Sequence, residues 1–202
     1  MKTACLAALA ALILLSLTVT TDAAPVAIGD PYADAVVSYT EGSNVGDNVD
    51  DPALAIGGPD GTVTPAAGYV SLGNGGSIIL EFTDNALIDG AGDDIRIFEV
   101  GNPDTYELSI SVDGSNGSWI FIGSASVTAS FDIGAATGVS PTAQYRFVKL
   151  DDGNAILTPA PVAGLDLDAV EALNSVDIVP EPASVALLSL GSLALIKRRR
   201  MC

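Results

Sequence analysis

The sequence predicts an all-β domain, an antiparallel β-sandwich of jelly-roll-like form, flanked by an N-terminal signal peptide and a short C-terminal transmembrane helix. Three observations carry this. Apolar and polar residues alternate along several short segments, clusters of Gly, Asp and Asn punctuate them, and no amphipathic helical pattern of useful length precedes the tail. Composition agrees, with 21 glycines and 11 prolines in 202 residues and few aromatics. The 49% apolar content is too high for a charge-expanded disordered chain.

Alternation is clearest at Tyr106 to Val112, where Tyr106, Leu108, Ile110 and Val112 share one face, and at Val127 to Ile133. The segments Ile78–Phe82, Ile95–Val100, Trp119–Ile122 and Arg146–Leu150 are more continuously apolar and read as central strands buried between layers. Val36–Thr40, Tyr69–Leu72 and Leu165–Leu173 are further strands, for eight or nine in all. The turns between them are Gly57–Gly61, Gly73–Gly76, Asp89–Gly92, Asp113–Gly117 and Asp151–Asn154, built from residues that accept positive φ or bond their own backbone. These bounds put the sandwich at 36–173, after a leader segment at 24–35 and before a linker at 174–179.

Both ends read as processing signals. Met1-Lys2, the apolar run Ala4 to Leu17 and the small residues before Ala24 have the parts of a secretory signal peptide at 1–23, cleaved after Ala23. Its partners are the Sec machinery and signal peptidase. At the other end Pro180-Glu181-Pro182 precedes the apolar stretch 183–196 and the basic cluster Lys197, Arg198, Arg199 and Arg200. Fourteen helical residues reach about 21 Å, short of the roughly 30 Å hydrocarbon core, so snorkelling arginines must complete the span. The basic cluster places that end in the cytoplasm and everything before Pro180 outside.

Charge is segregated accordingly. Acids outnumber bases 25 to 8, giving a net charge of −17, and five of the bases lie in the two end segments. From Ala24 to Val179 only Arg96, Arg146 and Lys149 face 23 acids, a net of −20. Such a domain repels nucleic acid, whose phosphates require clustered Lys and Arg, and it attracts divalent cations. Arg96, with Asp94 and Glu99 along its strand, is expected to form an ion pair, and Trp119 is expected in the core. The cysteines, Cys5 and Cys202, both fall outside the domain, so no disulfide framework is available.

The absence of histidine removes Ser-His, Cys-His and His-metal chemistry. Gly-x-Ser-x-Gly and phosphate-cradling glycine motifs are missing, and no carboxylate pair stands out as a glycosidase pair among the 23 acids. The reading is therefore non-enzymatic, with no cofactor required. The acids do offer calcium ligands: Asp93 and Asp94 follow a Gly-Ala-Gly turn, while Asp166 and Asp168 lie two apart and so share one face of a strand. These four are the candidate ligands of a structural calcium. Asp113–Gly117 starts like a calcium loop but lacks its later glycine and glutamate.

The C-terminal sequence Pro180-Glu181-Pro182, a short apolar helix containing Gly191, and the terminal Arg cluster resemble the PEP-CTERM sorting signal of Gram-negative bacteria. The resemblance implies recognition by an exosortase, a membrane cysteine protease that cuts near the triplet. It also implies transient anchoring in the inner membrane, then export to the envelope, surface or surrounding exopolysaccharide. A looser similarity covers most of 36–173. Gly73–Ser77 leading to Phe82, Gly92–Glu99 and Gly164–Val170 resemble a surface domain common among such proteins. The hairpin Ser111-Val112-Asp113-Gly114 with Trp119 resembles one in discoidin-like (galactose-binding-like) jelly rolls. Together these imply an exported surface or matrix protein of structural or interaction type. A carbohydrate-binding module acting on exopolysaccharide is the alternative, and a polysaccharide-active hydrolase the third.

Overall fold

The computed structural model describes residues 29–63, 66–101, 103–153 and 164–178. The signal peptide with Ala23, the Pro180-Glu181-Pro182 triplet, the apolar stretch 183–196 and the basic cluster 197–200 lie outside the described residues. Within them the chain is an antiparallel β-sandwich. Its strands are β1 (Ala35–Thr40), β2 (Thr62–Val63), β3 (Ala66–Ala67), β4 (Val70–Ser71), β5 (Ser77–Glu81), β6 (Asn85–Leu87) and β7 (Ile95–Glu99). There follow β8 (Tyr106–Ser111), β9 (Ile120–Ala125), β10 (Ala129–Phe131), β11 (Phe147–Asp152), β12 (Asp166–Ala172) and β13 (Ser175–Asp177). Two 3-10 turns, Pro52–Ala55 and Ile133–Ala135, are the helical elements among the described residues, and no helix there is long and apolar enough to cross a membrane.

One sheet has the order β1-β5-β11-β8-β9 and the other β10-β7-β12-β4. Each of the nine segments read as strands from the sequence falls on one of the nine strands of these two sheets. Their registers stack inward residues into rows: Leu80 pairs with Val148 and Val148 with Ile110, while Ile78 pairs with Leu150 and Leu150 with Leu108. From the second sheet Ile97 pairs with Val170 and Ile95 with Ala172. These side chains form one core cluster with Phe82, Tyr106 and Leu167, which is what period-2 alternation requires of two sheets packed face to face.

The sequence reading is corrected at several points. The sandwich does not end at residue 173, since β13 pairs with β6 where a linker was expected, and Ile178 N–H donates to the Asp84 carbonyl at 2.7 Å. Nor is the expected leader 24–35 detached throughout. Tyr32 bridges to Glu171, Ala33 N–H donates to the Val170 carbonyl at 3.0 Å, and Ala33 is buried. β2, β3, β6 and β13, of two or three residues each, fall outside the segments read as strands from the sequence.

β9 is an edge strand rather than a central one, which leaves Phe121 56% exposed. Trp119 is only half-buried and lies 5.9 Å from the Lys149 ammonium, not in the core. Val112, expected inside, is half-exposed because β8 ends at Ser111 and the chain turns there, with Gly114 at φ 67°. Arg96 forms no ion pair among the described residues. Its guanidinium lies over the Phe98 ring at 4.7 Å, and Asp94 bonds elsewhere.

Candidate functional site

Two acidic corners occupy the two ends of β7. At its start the turn Asp89–Gly92, closed by Gly92 at φ 84°, delivers Asp94 into the sandwich, where it is completely buried. Its carboxylate is surrounded by donors. Oδ1 accepts from Gly90 N–H at 2.8 Å and from the Asn174 side-chain amide at 2.8 Å, and Oδ2 accepts from Ile133 N–H at 3.0 Å. The Asp94 backbone carbonyl also accepts from Leu173 N–H at 2.7 Å. Asp94 thus ties together the 89–92 turn, the Ile133–Ala135 turn and the β12–β13 connection.

Asp89 and Asp132 converge on the same point. One carboxylate oxygen from each of Asp89, Asp94 and Asp132 lies within 4.8 Å of the others, a spacing at which three acids could share a metal ion. Asp94 nevertheless already has both oxygens occupied by protein donors, and Asp132 is exposed. Asp93, the expected neighbouring ligand, is itself exposed and contributes only its carbonyl, to the Asn174 amide at 3.2 Å.

The other corner lies where β7 ends and β12 begins. Glu99 is the last residue of β7 and pairs with Leu167, while the Asp166 carbonyl accepts from Val100 N–H at 3.0 Å. Asp166 also stands opposite Ser71 of β4, whose hydroxyl is its side-chain partner. Here donors run short. Asp166 Oδ1 and Glu99 Oε1 are both buried without a hydrogen-bond partner among the described residues. Burial pushes the Glu99 carboxyl up to about 7, reinforced by the charges of Asp166 and Asp104. Asp166 is likewise pushed up to about 7 by burial, against the lowering effect of the Ser71 hydroxyl and with Asp104 adding to the rise. Burial and the Asp166 charge also raise the Tyr69 phenol. A carboxyl in this state can hold a proton near neutrality, release one, or accept a cation in its place.

Asp168 does not join Asp166 in a shared site. A bulge between Leu167 and Ala169 interrupts the pairing of β12 with β7 at this position, and Asp168 Oδ1 accepts from Asp60 N–H at 3.0 Å and Gly61 N–H at 2.9 Å. It pins the 57–61 loop to the sheet, and burial raises its carboxyl despite those two donors. The four acids expected to offer calcium ligands are therefore divided between opposite ends of β7. Asp93 and Asp94 lie at one end and Asp166 and Asp168 at the other. Glu99, the acid with an orphaned oxygen on β7 itself, was missed by sequence reasoning, although an acid closing the apolar run Ile95–Phe98 is the kind of signal that could have found it. The Asp113 turn is local: Ser115 N–H donates to its carboxylate at 3.0 Å, and with the Ser118 and Ser115 hydroxyls this lowers the exposed Asp113 carboxyl to about 2.

Comparison with known proteins gives a sequence match within the chain and distant structural likenesses. Residues 179–200 match the PEP-CTERM protein-sorting motif, beginning two residues after β13 ends at Asp177. No curated protein matches the chain. A solved structure titled "CpGH89CBM32-6 produced by Clostridium perfringens" is similar at 14% identity and a TM-score of 0.34, covering 73% of this chain and 97% of that one.

Proposed function

From a chain whose sandwich runs directly into a PEP-CTERM sorting motif, we propose an exported, exosortase-processed surface or matrix protein of structural, non-enzymatic type. The single observation that carries this is the match at 179–200. The signal peptide takes the chain to Sec and is removed after Ala23. The stretch 183–196 then holds it in the inner membrane with Lys197 to Arg200 in the cytoplasm, and exosortase cuts near Pro180-Glu181-Pro182. Two prolines flanking Glu181 favour extended backbone and oppose helix, the form a protease cleft accepts. The physical character of the domain supports the reading. A net charge of −20 between Ala24 and Val179 keeps it soluble and off anionic lipid, and without cysteine its stability rests on the two-sheet core.

Mass spectrometry of both termini of the native protein tests this. The proposal expects a chain starting at Ala24, ending near Pro180 and recovered from the envelope or the medium. A cytosolic chain retaining Arg198 to Arg200 overturns it. Replacing Arg198, Arg199 and Arg200 with alanine is expected to leave unprocessed precursor, seen as a band about 2 kDa larger on immunoblot.

A further inference from the structure

We infer that Asn116 is a site of spontaneous covalent modification, deamidation through a cyclic imide to aspartate and isoaspartate, and that the fold protects the chain's other Asn-Gly pair from the same reaction. The sequence holds two such pairs, Asn74-Gly75 and Asn116-Gly117. Glycine after asparagine favours the reaction because no side chain shields the main-chain nitrogen that attacks. That nitrogen, from Gly117, gives its proton to water and bonds to the side-chain carbonyl carbon of Asn116. The bond from that carbon to the side-chain nitrogen breaks, and ammonia leaves with a proton from solvent. Water then opens the imide at either carbonyl. One opening restores the chain and leaves aspartate; the other routes the chain through the side chain as isoaspartate.

The two pairs have different surroundings. Asn116 and Gly117 are both exposed and stand at the centre of the turn Ser115–Ser118 between β8 and β9, closed by Ser118 N–H donating to the Ser115 carbonyl at 3.1 Å. Gly117 has φ 93°, and no atom beyond its chain neighbours lies within 4 Å of where a Cβ would stand. Its N–H has no acceptor among the described residues. The turn is anchored at its ends instead: Ser115 N–H donates to the Asp113 carboxylate at 3.0 Å and the Ser118 hydroxyl to the Ser115 carbonyl at 2.7 Å. The central pair can therefore rearrange into the imide while both strands stay in the sheet. At the other pair, Gly75 N–H donates to Asp152 Oδ2 at 2.9 Å, which holds the attacking nitrogen in place. Asn74 is bridged to Ser43, giving its N–H to the Ser43 carbonyl at 2.9 Å and accepting from Ser43 N–H at 3.1 Å, and its Oδ1 is buried. Imide formation there must first break this bridge. Each event at Asn116 adds a negative charge to a domain already at −20, in a turn outside the two-sheet core, so it marks the age of a molecule without unfolding it.

The test holds the full-length chain, purified in detergent, at pH 8 and 37 °C for two weeks and maps its peptides by mass spectrometry, with aspartate and isoaspartate separated by chromatography. Asn116 is expected to convert to both products at least tenfold faster than Asn74. In urea, where Ser43 and Asp152 no longer hold Asn74, the two rates are expected to come together. Asp152→Ala releases the Gly75 amide and is expected to speed conversion of Asn74 in the folded chain while leaving Asn116 unchanged. Gly117→Ala is expected to slow conversion at Asn116 at least tenfold. A Cβ at φ 93° strains the turn, so the melting temperature shows whether this variant folds, and the wild-type comparison of the two sites decides without it. Asn116 intact after the incubation, or converting no faster than Asn74 in the folded chain, overturns the proposal. So does aspartate formed without isoaspartate, because an imide opens at both carbonyls.

Discussion

Asp94 and Asp166 are both buried aspartates at the ends of one pair of strands, and they live in opposite circumstances. Asp94 lies before β7 with three N–H groups directed at its carboxylate, so the fold is built around its charge. Asp166 opens β12 with the Ser71 hydroxyl beside it and one oxygen unbonded, so the fold works against its charge. The difference teaches that burial alone does not define a carboxylate's role. The number of donors around it decides whether it braces the structure or stands ready for a proton or a cation.

The sharpest way to break the comparison is to remove the brace. Asp94→Ala strands the Gly90 and Ile133 amides and the Asn174 side chain in a buried site, and should cost on the order of 3–4 kcal/mol, read as a lower urea midpoint. A loss under about 1 kcal/mol would make Asp94 an ordinary buried acid.

The second effect is of pH. In metal-free protein the folded chain keeps protons on Glu99 and Asp166 up to about pH 7, whereas the unfolded chain releases them near 4.5 and 3.8. The folded state thus binds more protons between these limits. Their contribution to stability is complete below about pH 4 and is lost as pH rises through 7, amounting to about 2–3 kcal/mol for each group between pH 5 and 8. A stability that rises over the same interval would contradict it.

Third, Asp166→Asn removes the unfavourable charge and should stabilise the metal-free protein by about 1 kcal/mol at pH 8, opposite in sign to Asp94→Ala. The smallest effect belongs to Asp132→Asn. Its side chain is exposed, so thermal melting should show a change within about 0.5 kcal/mol.

Most strands of the two sheets were legible because the apolar and polar residues in and around them alternate over a stretch long enough to show which face is wet. Leu108 and Ile110 point inward beside Glu107, and Val148 and Leu150 beside Lys149. The pairing of β13 with β6 was not, since three residues carry no period and the contact spans about 90 residues of chain. Buried acids were legible by type but not by partner. Asp94 and Asp166 could be picked out as calcium candidates from their turns and spacing, yet whether donors wait for them depends on Ile133 and Asn174 in one case and Ser71 in the other. These residues come from strands and turns far away in sequence. Asp93 and Asp168 show the same limit. One faces water and the other caps the Asp60 and Gly61 amides, a loop contact 107 residues away that no local pattern encodes. Trp119 and Phe121 went astray for a further reason, because an apolar run looks alike in a central strand and in the exposed edge strand that β9 proves to be.

The most direct measurement is a carboxyl-carbon NMR titration of the chelator-treated protein with Glu99 and Asp166 assigned. Midpoints near 7 for both are predicted. Midpoints at the ordinary values of 4.5 and 3.8 would show that donors reach these oxygens after all, and the contrast between the two ends of β7 would disappear.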